Sequence, residues 1–165
     1  MSGDWMDKEF EKSEKQKRNT QLAQQMQLHR SRLVEAKGGA LWQSLLGALE
    51  DCAKKYRNRQ SSDEQHEITF GSQNPHEWML RTMSFPSRRL DVTWSPEAHR
   101  VEFVVMKSLS IHEPELELEL HDRFDIRVDR EDNLYFNYGD ERLTELSDAV
   151  RVLLHPVLFP QSEAD

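Results

Sequence analysis

The chain has 165 residues, enough for one domain with its own apolar core, and a net charge of −8 from 22 Lys/Arg and 30 Asp/Glu. Its single cysteine, Cys52, excludes an internal disulfide framework and a thiolate-rich zinc site, and suits a reducing compartment. No apolar run approaches the roughly 20 residues that span a bilayer, and the start of the chain lacks the basic-then-apolar pattern of a secretory signal, so a cytoplasmic protein without membrane contact is expected.

Residues 1–21 are rich in Lys, Glu, Gln and Ser, with only Trp5, Met6 and Phe10 as large apolar side chains besides the initial Met. The pairs Glu11–Lys15 and Glu14–Arg18 have the favourable i,i+4 order, worth a few tenths of a kcal/mol each. Such a segment reads as a mobile, charged arm that becomes helical only conditionally. Residues 22–160 read as one domain and 161–165 as a polar tail.

The spacing of Leu22, Met26, His29, Leu33 and Val34 predicts a helix over Gln21–Lys37. Gly38 and Gly39 are expected to end it, since glycine is costly inside helices and common just past their ends. A second helix is predicted from Ala40 to about Asn58, with a broad stripe running through Leu41, Trp42, Leu45, Leu46, Leu49, Cys52, Ala53 and Tyr56. Lys54, Lys55, Arg57 and Arg59 crowd its C-terminal end, where cations suit the helix dipole.

Strict alternation of apolar and polar residues then predicts strands. Glu67–Phe70 and Glu77–Met83 form one expected hairpin, Arg89–Trp94 and Val101–Met106 a second. Glu115–Leu120 is expected to turn through His121, Asp122 and Arg123 into Phe124–Asp129. Arg130, Glu131 and Asp132 then turn into Asn133–Tyr138. A one-residue slip would flip every side chain, so register is testable. Trp94 opposite Val101 also sets Val92 on Phe103 and Leu90 on Val105; Val128 opposite Leu134 sets Ile126 on Phe136. Leu120 opposite Phe124 would set Leu118 on Ile126 and Leu116 on Val128.

Asp140 is placed to cap a last helix from about Glu141 to Leu154, stopped by Pro156. The fold class is therefore α+β: an antiparallel meander of about six to seven strands, with N-terminal helices and a C-terminal helix packed on one face.

In that register Glu119 faces Asp125, Glu117 faces Arg127 and Glu115 faces Asp129 on the wet side of the sheet. Like charges placed opposite one another oppose folding slightly, unless a basic partner neutralises them. Residues 61–165 hold ten Lys/Arg against 22 Asp/Glu, which disfavours nucleic acid. The expected activity is non-enzymatic binding of a protein with a basic surface, as in an adaptor, an inhibitor or antitoxin-like protein, or a chaperone. The candidate contact residues are Glu115, Glu117, Glu119, Asp125 and Asp129. Homodimerisation through the Gln21–Lys37 helix or the Met79/Met83 patch is a further expectation, because Met79, Met83, Val104 and Met106 put apolar atoms on the wet side.

The alternative is a small-ligand or catalytic domain with a pocket between sheet and helix. The sequence offers no cofactor motif: no phosphate-binding glycine loop, no nucleophile elbow and no metal-ligand spacing. His112 and His121 stand about 30 Å apart along the acidic segment, too far to share a metal.

Overall fold

The computed structural model describes residues 3–59, 67–110, 112 and 116–160. Among the described residues there are one helix, seven strands and a second helix. Helix α1 (Asp4–Arg59) comprises 56 residues, about 84 Å at 1.5 Å per residue. Two helices were expected here, and the glycine pair does not separate them. The residues α1 buries (Val34, Gly38, Trp42, Leu45, Leu49 and Ala53) recur at three- and four-residue steps straight through the pair. A continuous core-facing stripe outweighs the roughly 1 kcal/mol that each helical glycine costs. The glycines lie beneath the indole of Trp94, which stacks on Trp42 at 6.3 Å between ring centroids.

The strands β1 (Ile68–Gly71), β2 (Glu77–Thr82), β3 (Ser87–Ser95), β4 (Arg100–Ser108), β5 (Glu117–Val128), β6 (Leu134–Tyr138) and β7 (Glu141–Leu143) form one antiparallel sheet in chain order. The predicted register holds in β3–β4, with Trp94 on Val101, Val92 on Phe103 and Leu90 on Val105. It holds again in β5–β6, with Ile126 on Phe136 and Val128 on Leu134. The turn between them, Arg130 to Asp132, also lies where expected. Asp132 takes a positive φ of 62°, a conformation Asp tolerates better than most residues.

The hairpin expected at His121–Arg123 does not exist. Residues 117–128 run as one strand, and both halves of it pair with β4: Val101 with Phe124, Val105 with Leu120 and Met106 with Leu118. His-Asp-Arg contains no glycine or asparagine to supply a positive-φ turn position, whereas the long β4 offers a continuous ladder. A bulge breaks this ladder: between Val105 and Met106 the partner jumps from Leu120 to Leu118, leaving Glu119 unopposed. The extra residue reverses the alternation beyond it. Leu118 therefore stands with Met106 on the outer face, 60% exposed, and Leu116 is also turned to solvent. Both leucines were expected inside.

The last helix also differs. Glu141–Leu143 is strand β7, paired with β6, and Asp140 lies in the turn between them rather than at a cap. Helix α2 (Leu146–Leu158) begins after Glu145, which shares a reciprocal capping box with Asp148. It continues two residues beyond Pro156, burying Val157 and Leu158.

Both helices cover the inner face of the sheet. Trp42, Leu45, Leu49, Phe103, Phe124 and Leu153 fill the space between the layers and have no solvent exposure. The Trp42 indole N–H donates to the Pro75 carbonyl at 2.7 Å, tying the middle of α1 to the β1–β2 loop.

Candidate functional site

Helix α1 is far longer than the body it packs on. Every residue from Gly3 to Arg30 is exposed, and the first buried side chain is Val34. The arm thus projects about 40 Å of helix, at 1.5 Å per residue. It is not uniformly polar: Trp5, Met6, Phe10, Leu22, Met26 and Leu28 are all exposed, Phe10 by 64%. Its charges fall into two blocks. Residues 4–14 hold five acids and two lysines, whereas residues 15–34 hold five Lys/Arg and no acid. Near its root, His29 Nε2 lies 3.3 Å from Asp132 Oδ2 in the β5–β6 turn.

The outer face of the sheet is not an acidic surface. Cross-strand partners place Arg81, Arg89, Arg100, Arg123, Arg127 and Arg142 there, interleaved with Glu77, Asp91, Glu102 and Asp125. The acids are engaged along their own strands: Arg89 Nε with Asp91 at 3.1 Å, Arg100 with Glu102 at 3.6 Å, and Arg123 with Asp125 at 3.7 Å. The face is a lattice of opposite charges.

Of the five carboxylates proposed as a row, the four described ones are dispersed. Glu115 lies outside the described residues. Glu117 is exposed and stands opposite Lys107, with Arg127 on the same strand about 33 Å away. Glu119, the bulge residue, turns to the edge of the inner face and receives the Arg88 Nε and Nη2 hydrogens at 3.0 and 3.1 Å. Its Oε1 also stands 3.8 Å from Lys107 Nζ. Asp125 faces Arg100 and Asn137. Asp129 closes the β5–β6 turn. The Asn133 N–H, together with the Glu131 N–H and the Arg142 guanidinium, holds its carboxyl below the usual carboxylate range against an opposing desolvation. The four that are described, Glu117, Glu119, Asp125 and Asp129, do not come together in one anionic surface.

The Arg88–Glu119–Lys107 cluster went unnoticed in the sequence, although a signal was present. Arg88 and Lys107 continue the inward parity of Leu90 and Val105, so two cations at core-facing positions demanded an acid. Both are buried, and Glu119 is the acid that serves them. Tyr138 provides a smaller case: burial, then the Asp122 carboxylate it hydrogen-bonds, raise its phenol above the ordinary value.

Among the described residues, no three His, Cys, Asp or Glu side chains converge as metal ligands, and no helix is long and apolar enough to cross a membrane. Neither a protein-family model, nor a characterised protein, nor a solved structure matches the chain.

Proposed function

We propose that this protein is a non-enzymatic protein-binding module whose contact element is the projecting arm of α1. The observation that carries this is the exposure of an entire 28-residue stretch, Gly3 to Arg30, with six large apolar side chains on it. An isolated helix of this length gains little from its own backbone, and exposed Trp, Phe and Leu gain nothing until something covers them. A helix in solvent with apolar anchors at several points along it suits a partner that supplies a groove or a second helix. The acidic and basic blocks then fix direction, since the partner's charges must run in the opposite order.

The body supplies a rigid mount. Its inner layer is filled, its outer face is self-neutralised, and α1 is anchored by Trp42 rather than by the arm. This favours association over chemistry in the space between sheet and helices. The test is deletion of residues 1–30 followed by affinity capture from the native cell, compared with the full chain. Partners that copurify with the full chain should be lost on deletion while the melting transition of the body stays in place. Capture that survives the deletion overturns the proposal.

A further inference from the structure

A groove on the far side of the body differs in character from the outer face of the sheet. It lies between the last turns of α1 and the outer side of α2 and encloses about 420 Å³, within the roughly 300–1,000 Å³ typical of ligand sites. We infer that it binds an amphipathic anion, specifically a carboxylate carried on an acyl chain of medium length. This inference is independent of the arm.

The floor is apolar, built from Val150, Leu154 and Leu158 of α2. Tyr56 and Phe159 meet edge to face at 5.7 Å, and the Phe159 ring nevertheless remains 57% exposed. That is apolar surface in position to take a hydrocarbon chain and release its ordered water.

The rim is cationic. Lys55 and Arg59 approach from α1, Arg151 and His155 from α2, and among the described lining residues there is no carboxylate. Lys55, Arg59 and Arg151 form no ion pair with any described residue. In a chain of net charge −8, these cations differ from the outer-face arginines, which are interleaved with acids along their strands. The C-terminal dipole of α1 accounts for Arg59 and its neighbours. It does not account for Arg151, which sits mid-way along α2 and faces the same groove. Like charges gathered over an apolar floor are relieved by an anion with an apolar tail: the carboxylate takes the guanidinium fork and the chain covers the leucines.

The groove contains its own reporter. Cys52, the only cysteine in the chain, is exposed and lines it. The experiment measures the rate at which N-ethylmaleimide, an uncharged reagent, modifies Cys52 in the full chain as decanoate is titrated. Saturable protection of roughly tenfold is expected, with decanol at the same concentrations giving far less. Arg151→Glu and Lys55→Glu should each raise the half-saturating decanoate concentration by roughly tenfold. Arg151→Gln, which keeps the bulk and loses the charge, should give an intermediate value. These positions are exposed, and an unchanged melting temperature verifies that each variant is folded. Absence of protection, equal protection by decanol, or half-saturation unmoved in the charge-reversed variants each overturns the inference.

Discussion

The two halves of α1 are one continuous helix with opposite surroundings. From Val34 to Ala53 a side chain is buried at each turn, down to zero exposure at Trp42, Leu45 and Leu49. From Gly3 to Arg30 none is. The difference follows from composition on the inward side: the body half places an apolar residue or glycine at each inward step, and the arm half offers Lys, Gln and Ser. Helix propensity is shared by both halves and distinguishes neither; tertiary burial does. Stability should therefore reside in the body half and recognition in the arm.

The strongest challenge to this division is a pair of truncations within the same helix. Trp42→Ala removes a fully buried indole, its stack on Trp94 and its hydrogen bond to Pro75, and is expected to cost about 3–5 kcal/mol of unfolding free energy. Phe10→Ala removes a ring of similar size that is mostly exposed, and the expected change is within about 0.5 kcal/mol. Chemical denaturation of both variants checks the contrast. A comparable loss at Phe10 would mean that the arm packs on the body.

Next in size is the ionic edge of the core. Glu119→Ala removes the carboxylate that receives the guanidinium hydrogens of the buried Arg88 and that lies 3.8 Å from the Lys107 ammonium. Removing one partner of a buried pair costs about 3–5 kcal/mol; partial exposure of Glu119 brings the expectation to about 2–3 kcal/mol. Glu117→Ala, two residues away and exposed, should change stability by less than about 0.5 kcal/mol. Replacing all three members of the cluster by Met, Met and Leu should recover most of the loss, since the apolar surroundings then need no charge. Urea midpoints measured across the four proteins decide between a structural and a merely superficial role for Glu119.

A smaller effect of opposite sign is expected at the glycine pair within the body half of α1. A Cβ built on Gly39 would lie 3.5 Å from Trp94 Cη2, an ordinary van der Waals contact, and one built on Gly38 would lie 3.7 Å from Trp94 Cζ2. Space therefore does not require glycine at either position. Gly39→Ala should raise stability by about 0.5–1 kcal/mol through helix propensity alone. Destabilisation would show that the helix uses its freedom to bend at this point.

Much of the sheet was legible in the sequence because alternation is a two-residue rule, and it held wherever the ladder was regular. Leu90, Val92, Val101, Phe103, Val105, Phe124 and Ile126 are inside as the pattern demanded. It failed at one residue. Alternation is preserved by a tight hairpin and broken by a bulge, and the run Leu116, Leu118, Leu120 fits either until a partner strand is known. Taking His121–Arg123 as a turn set Glu119 beside Asp125; the unopposed Glu119 of the real strand sends its carboxylate to Arg88 instead. The acidic row was a product of that choice. The glycine pair misled for a related reason: local cost is readable in sequence, whereas the Trp42 and Trp94 packing that overrides it is not. The exposed stretch runs past the residues 1–21 read as a charged arm: Leu22 and Met26, assigned to the domain by their helical spacing, are exposed as well.

The smallest effect concerns the turn against which α1 leans where the arm leaves the body. Asp129 accepts the Glu131 and Asn133 N–H groups and the Arg142 guanidinium, and the neighbouring Asp132 meets His29. Its folded carboxyl titrates below the unfolded value, so the ionised form is the one the fold prefers. The resulting stabilisation is fully present above the unfolded value, about 3.9, and is lost as pH falls through the folded one. Asp129→Asn cannot ionise and loses that contribution at every pH. The stability gap between the two proteins should be constant near neutrality and should close as pH falls below about 4. Urea titrations of both at a series of pH values measure it. A gap that persists unchanged into acid would mean that the turn is held by shape alone, and that the charge on Asp129 does not help seat α1 at the point where the arm departs.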